Sequence, residues 1–528
     1  MINPQLLKTY KSLNDWHRFR IRLFGEGILV GLFSGLVISL FRFLLDLVEV
    51  RRADIYQYLE AGASPFLTGL WFLALALIAL MLFLMARYEP MASGSGIPQV
   101  KGVILGLMKM HWFRILWVKI VGGVTGIGAG LSLGREGPSI QVGAVTAQAL
   151  SRSLGRTRME ERYLITSGAS AGLAAAFNAP LAGTIFALEE LHRNFSGAVL
   201  LPAMAAALTS TMVSRFFFGR DTIFGFYGLP TLPLTHMGFV VLIAIFAGVG
   251  GVIFNAGLLN ISRFYGLPIF KNQYCKILFA LICAGILGFT LPQVLGGGAG
   301  LVNGLVKSDY TTSMLLIILA GKFLFTLISY GCGTPGGFFL PMLVLGALIG
   351  AVFANVMISS QLIAPAFGAN VIVLSMAAFF SSSVRAPITG TLLILEMTGS
   401  FQHMMVLAVA SATAYIVAEL LGGEPIYEAL LMKSLKSKAT HEIRDERNII
   451  EVPVCSGSSI ENKRVSEVPW PVRTLLLEIK RDDKNLIVSA DTRIRPGDFL
   501  YVLTESTHAQ EVLKLGEEIV PKSLYGDF

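Results

Sequence analysis

Charge is scarce in this sequence: only 14% of its 528 residues are Asp, Glu, Lys or Arg, against 54% apolar. So apolar a composition excludes a disordered chain, and the length exceeds one ordinary soluble domain. The scarcity is uneven. The last 96 residues, from Lys433, carry 15 Lys/Arg and 16 Asp/Glu, whereas the first 432 carry only 27 and 18. The net charge of +8 thus comes wholly from the apolar part. That part offers no contiguous basic face, which argues against nucleic acid as a partner because phosphates need clustered cations. Cysteine is also rare. Cys275, Cys283, Cys332 and Cys455 show no CxxC spacing, so neither a disulfide framework nor a zinc site is expected. No other metal-ligand spacing and no nucleophile–base pair appears, and no metal, cofactor or enzymatic role is read. His111, His192 and His403 are read as interfacial or core residues. Residues 1–22 contain Lys8, Lys11, Arg18, Arg20 and Arg22 but no short apolar core with a cleavage site, so no signal peptide is read. A basic start before the first apolar run places the N-terminus in the cytoplasm by the positive-inside rule.

Apolar runs follow one another from about Gly27 to Leu421. A helix needs about 20 such residues to cross the hydrocarbon. Gly27 to Val48, Pro65 to Met85, Gly197 to Phe218, His236 to Leu259 and His403 to Leu421 meet that length. Ser139 to Leu150 and Pro180 to Leu188 are too short to cross alone, yet sit among Gly- and Pro-rich breaks. Broken helices at membrane depth are tolerated only where their free backbone groups face protein or a watery cavity, as in transporters and channels.

The apolar part repeats itself. Gly134-Arg-Glu-Gly-Pro138 with Gly143-Ala144 matches Gly337-Phe-Phe-Leu-Pro341 with Gly346-Ala347 at an offset of 203. Ala179-Pro180-Leu-Ala-Gly183-Thr184 with Leu188-Glu189 matches Ala386-Pro387-Ile-Thr-Gly390-Thr391 with Leu395-Glu396 at an offset of 207. Duplicated membrane halves usually carry the substrate at their interface. The match is compatible with parallel or inverted halves. The repeat also marks what is not duplicated. Glu136 aligns with Phe339 and Glu190 with Met397, whereas Glu189 has the counterpart Glu396 and reads as structural.

Three Gly-rich loops end in a proline that could head a helix: Gly94-Ser-Gly96-Ile97-Pro98, Gly134-Arg135-Glu136-Gly137-Pro138 and Gly337-Phe338-Phe339-Leu-Pro341. Proline suits the first helical turn, and free N–H groups with the positive dipole end form an anion site. Three such ends together would hold a dehydrated anion. Glu136 would compete with that anion for the same donors, and protonation would release it. A salt bridge to the adjacent Arg135 is the weaker alternative, since neighbouring helical residues do not face each other. Glu190 lies ten residues beyond Pro180. At 1.5 Å per residue that is roughly 15 Å along a helix, near its far end.

On these motifs the sequence resembles the CLC family of chloride channels and chloride/proton antiporters. GSGIP at 94–98, GREGP at 134–138 and GGFFLP at 336–341 match the family's filter motifs, and Tyr427 matches its late filter tyrosine, over roughly residues 20–432. The resemblance implies an all-α polytopic fold with an inverted repeat and broken helices, a homodimer in the lipid bilayer, and one anion pathway per subunit. It implies chloride binding by the Ser95 and Tyr427 hydroxyls and by backbone N–H groups around Phe338 and Phe339. It further implies a gating role for Glu136 and internal proton transfer at Glu190. Ser95 points to chloride, since nitrate-preferring relatives often carry proline there. Lys119 corresponds to a family lysine near the pathway, with a helix-lining or snorkelling role as the alternative; an aromatic-belt position is the alternative for Tyr427. Gln99 and Lys101 stand where some bacterial antiporters have acids, so the inner proton route differs in detail.

The expected organisation is a cytoplasmic segment at 1–22, a membrane domain at 23–432 with halves of about 23–220 and 235–432, a linker at 433–448, and a small α+β cytosolic domain at 449–520. Its β-rich runs are Ile449 to Val454, Thr474 to Ile479, Asn485 to Ser489 and Phe499 to Leu503. Ser456-Gly457, Asp482-Asp483 and Pro496-Gly497 supply turns, and a helix-like stretch runs from His508 to Glu518. This tail is similar to the TrkA-C domain. Binding of a small ligand such as a nucleotide and clamping of a dimer fit it equally. The expected activity is exchange of chloride for protons across a bacterial inner membrane with both termini cytoplasmic; a passive chloride channel gated by Glu136 is the alternative.

Overall fold

The structure, a computed structural model, describes residues 4–439 and 447–516, apart from 63, 194, 227, 308–309, 456, 482–483, 487 and 506–507. The turns expected at Ser456-Gly457 and Asp482-Asp483, residues 440–446 of the linker and residues 517–520 of the tail domain therefore lie wholly or partly outside the described residues. The chain forms two compact units: Met1–Lys101 with Met110–Leu430, and Gly102–Lys109 with Leu431–Phe528.

The first unit is helical. Its first eight helices are α1 (Pro4–Glu60), α2 (Pro65–Tyr88), α3 (Ile97–Ile104), α4 (Trp112–Gly128), α5 (Glu136–Ser153), α6 (Arg158–Phe177), α7 (Pro180–Phe186) and α8 (Gly197–Phe218). The next eight follow the same order: α9 (Met237–Phe264), α10 (Gln273–Thr290), α11 (Ala299–Lys307), α12 (Thr312–Gly331), α13 (Phe339–Ser359), α14 (Gly368–Val384), α15 (Pro387–Thr398) and α16 (Met404–Leu420). A last helix, α17 (Ile426–Ala439), has no counterpart in the first half. Nine helices among the described residues are long and apolar enough to span a membrane. They include the five expected runs and four more, of which Pro365–Val384 is 89% buried and so faces protein rather than lipid on nearly every side.

From Pro4 onward the basic N-terminal residues belong to α1, one helix of 57 residues that no proline interrupts after Pro4. The short run Ser139 to Leu150 lies inside the 18-residue α5, which is not among the nine membrane-length apolar helices, in keeping with a run too short to cross alone.

Small residues set the packing. Gly27, Gly31 and Gly35 recur every fourth residue on α1, and a Cβ on each would strike the α8 backbone at Pro202, Ala206 and Ser210. The same device joins α5 to α6 at Gly143 and Gly168, and α13 to α14 at Gly346 and Gly350. Lipid is as apolar as leucine, so backbone-to-backbone closeness of this kind is what gives membrane helices their attraction.

The two halves are inverted, and two acids show how they meet. Glu189 accepts hydrogen bonds from the Ile388 and Thr389 amides, at 3.2 and 2.7 Å, where α15 starts. Glu396 accepts from the Leu181 and Ala182 amides, at 3.1 and 2.8 Å, where α7 starts. Each carboxylate near one helix's end thus caps the beginning of the other, which requires α7 and α15 to run antiparallel. Glu189 is structural, as its repeat counterpart suggested.

The second unit carries a four-stranded antiparallel sheet in the order β1-β4-β2-β3, from β1 (Arg447–Pro453), β2 (Leu475–Arg481), β3 (Lys484–Leu486) and β4 (Phe499–Glu505). Ile450, Val452, Ile479, Leu500 and Val502 alternate toward a core shared with Val512 of α18 (Ala509–Gly516). Buried Asp498 accepts two 2.7 Å hydrogen bonds from Arg481 and one of 2.8 Å from the Arg495 amide, which fixes the Pro496-Gly497 turn.

Glu396→Ala is expected to cost about 2 kcal/mol, the scale of hydrogen bonds to a charged acceptor. It should lower the melting midpoint in detergent, with Glu396→Gln losing less; unchanged melting would show the caps to be idle.

Candidate functional site

Three loops, each interrupting the chain before a helix, are sewn to one another by their backbones. Gly94 donates to the Thr334 carbonyl and accepts from the Gly336 amide, both at 3.0 Å. Gly134 and Gly337 exchange a pair of bonds at 2.6 and 2.9 Å. The loop before α13 therefore lies between the loops before α3 and α5. A Cβ on Gly137 would sit 2.7 Å from the Ser95 carbonyl oxygen, and one on Gly337 would sit 3.2 Å from the Gly137 nitrogen. Gly94, Gly96, Ile97, Pro98, Gly134, Gly137, Pro138, Gly337 and Pro341 are thus brought to one place, as three helix N-termini. Neither α5 nor α13 has a side-chain cap, which leaves first-turn N–H groups available.

Glu136 is fully buried at this junction. Its carboxylate lies beside the Leu340 amide at the start of α13, yet neither oxygen completes a hydrogen bond among the described residues. Arg135 turns away, donating to Asp46 of α1 at 2.9 Å, so the two neighbours do not pair. The Ser95 hydroxyl oxygen accepts from the Ile97 amide at 3.2 Å, which leaves its proton free to donate.

Tyr427, at the start of α17, is buried rather than set in an aromatic belt, and its hydroxyl has no partner among the described residues. Its ring stacks on Phe338 with centroids 5.4 Å apart and meets Phe186 edge-on at 6.3 Å. Phe339 packs against Phe177, Phe186 and Phe380. These rings surround the start of α13 with apolar surface. Uncapped helix-start amides in such surroundings suit a small anion, since each N–H dipole acts at low dielectric.

Glu190 lies elsewhere on the same unit. After α7 the chain winds as a π-helix over Ala187–His192, whereas the matching α15 continues as an α-helix. Such a wider turn inside a helix is frequent at functional sites. It leaves Glu189 capping α15 while Glu190 is buried against the Lys101 ammonium at 2.8 Å. Tyr427 lies within electrostatic reach of both Glu190 and Glu136.

Two contributors, Tyr330 and Lys322, are not marked by the sequence reading. Tyr330 presses its ring on Phe338 at 4.8 Å and places its hydroxyl at the backbone of Gly94 and Ser95. Nothing in the repeat marks it. Lys119 neither snorkels nor lines a surface: fully buried, it donates to the carbonyls of Ala92 and Gly94 at 2.9 and 2.7 Å. Its counterpart, missed although the offset of 203 names it, is Lys322, which donates to Val294 and Gly296 at 3.0 and 2.7 Å. The loops they hold are copies: Gly94 and Gly96 have φ of +67° and +93°, Gly296 and Gly298 +60° and +91°. Only glycine adopts such angles freely, so the conformation is written into both halves. His403 is a satisfied buried histidine, bonded to the Pro230 carbonyl at 2.9 Å, and His111 is exposed at the start of α4. His192 is part-buried at the end of the π-helix, 5.8 Å from the Tyr163 ring.

Residues 75–419 match the family described as voltage gated chloride channel. The chain belongs to that family. Residues 449–515 match the TrkA-C domain. The chain is 35% identical over 425 residues to the H(+)/Cl(−) exchange transporter ClcA of Vibrio cholerae serotype O1, covering 78% of this chain and 89% of that protein. It superposes on a slow cyanobacterial Cl−/H+ antiporter with a TM-score of 0.74 at 33% identity, over 79% of this chain and 99% of that one. A eukaryotic CLC transporter shares the fold with a TM-score of 0.66 at 22% identity, over 78% of this chain and 74% of that one. As a member of the chloride channel family, the chain carries all three sewn loops inside the matched region, and the unmirrored Tyr427 just beyond it.

Lys119→Met orphans two buried carbonyls and is expected to cost about 2–4 kcal/mol. Lys322→Met should cost a comparable amount because its contacts are the same. Thermal melting of both variants in detergent checks this; a silent Lys322→Met would mean that the second loop holds itself.

Proposed function

We propose that this chain exchanges chloride for protons across a membrane. The observation that carries the reading is a buried carboxylate, Glu136, set among unsatisfied helix N-termini with both oxygens unpaired among the described residues. Ionised, it occupies the donors that would otherwise hold chloride; protonated, it loses its charge and the anion displaces it. One site thereby binds either a chloride or a side-chain charge, and moving one requires protonating the other. Ser95 and Tyr427 supply hydroxyl donors, and the amides around Phe338 and Phe339 supply the rest. Glu190 receives the proton at the other end. The names of the relatives and of the 33%-identical structure favour exchange over a passive channel.

On the same reading the protein works as a homodimer in a bacterial inner membrane, with both termini cytoplasmic. The bacterial relative and the basic N-terminal residues support that placement. Its TrkA-C domain either binds a small ligand such as a nucleotide or clamps the dimer.

Purified protein in proteoliposomes, given a chloride gradient, should drive protons uphill. Chloride movement without proton movement would select the channel. Glu190→Gln should keep chloride flux and lose proton coupling. Glu136→Gln should abolish the rise of chloride flux as pH falls, because a permanently neutral side chain no longer competes; a retained pH dependence would remove Glu136 from this role. Tyr427→Phe keeps the stacked ring and deletes one donor to an anion, worth about 1.5 kcal/mol, or roughly tenfold in chloride affinity by calorimetry. Because the lost hydroxyl is buried without a partner among the described residues, stability should not fall with it.

A further inference from the structure

Resting on the exchange reading, a second deduction concerns Lys101. Its ammonium is 2.8 Å from Glu190 Oε1, and the two side chains are 2% and 3% exposed. A lysine so buried is rare unless it is paired, and unlike Lys119 and Lys322, which bind carbonyls, Lys101 meets a carboxylate. The sequence places it three residues after Pro98, at the base of the short helix that the first filter loop begins. The wider π turn delivers Glu190 to it, while the same turn leaves Glu189 occupied at α15.

We infer that Lys101 is a positioning residue for proton transfer: it holds Glu190 as a closed, ionised pair between turnovers, and each proton reaching Glu190 opens that pair. The other charged groups around Glu190 do not take this place. Arg193 and Glu428 face it from beyond the π-helix and from α17, but they bind each other at 2.6 Å and are 50% and 33% exposed. From α6, Arg162 and Tyr163 face His192 instead. Tyr427 contributes a neutral hydroxyl. Burial works against a charge on Glu190, and the group bonded to it that opposes burial is Lys101, so the sign of the Lys101 effect is fixed. A neighbouring cation favours the carboxylate, so removing it makes the proton bind at higher pH, by about one to three pH units for a close pair.

The test compares wild type, Lys101→Met and Lys101→Arg in proteoliposomes while the pH on the Glu190 side is varied. For Lys101→Met the midpoint of proton-coupled transport should move upward by about one pH unit or more, and Lys101→Arg should stay near wild type. An unmoved midpoint in Lys101→Met, with wild type still coupled, overturns the inference and leaves the exchange reading intact; wild type that moves no protons overturns the exchange reading instead. If Lys101→Met fails to fold, infrared difference spectra of wild type against Glu190→Gln decide the matter. An ionised carboxylate band at neutral pH supports the closed pair, and a protonated carboxyl band overturns it.

Discussion

The constraint beneath everything here is that a backbone inside a membrane has to satisfy its own polar groups. A helix does so by itself; a broken helix does not. This chain breaks its helices at Gly94, Gly134 and Gly337 and meets the demand in two ways. Each loop is sewn to another loop, and the first is also held by buried Lys119, which binds two of its carbonyls. The first-turn amides of α5 and α13 are what remains. Because the carbonyls are taken and these amides are not, the junction presents an excess of donors. An anion-favouring pocket follows from that imbalance without any cation placed in it.

Duplication explains the scaffold, and departures from duplication explain the chemistry. The lysine-held glycine loops, the close helix crossings and the reciprocal caps of Glu189 and Glu396 all occur twice. The residues assigned to transport occur once. Ser95 faces Gly297 in the repeat, Glu136 faces Phe339, Glu190 faces Met397, and Tyr427 belongs to a helix outside it. Two halves able to fold alike were thus made unlike at a few positions, and those positions adjoin the sewn junction or the π turn.

Much of this was legible in the residues. Gly-Pro punctuation marked the helix starts because both residues act on local backbone geometry, and the repeat offset separated the unduplicated acids from the duplicated ones. The strands of the tail appeared because alternation is a local signal. What stayed hidden was non-local. Tyr330 reaches Ser95 only after α12 has folded against the first filter loop, and its own neighbours in sequence carry no trace of that contact. The lysine pair was within reach, since Lys119 and Lys322 share the offset, but the carbonyls they serve are identified only by the fold. The continuity of α1 is hidden for a different reason: a polar, basic start marks a change of charge, whereas helix continuity depends on the absence of a breaker.

The two buried acids differ in what stabilises their charge, and that difference is what makes exchange physically workable. On the exchange reading, an ionised Glu136 draws on the uncapped helix-start amides beside it, which chloride can also use, so its charge and the anion exclude each other. Glu190 relies on Lys101, a partner enclosed with it and bonded to it directly. Chloride therefore has a reason to displace the first acid and none to displace the second. Competition is confined to the filter, while protons can still be handed between the two acids. A site in which both acids shared donors with chloride would let the anion slip past in either protonation state; one in which neither did would bind chloride independently of protons.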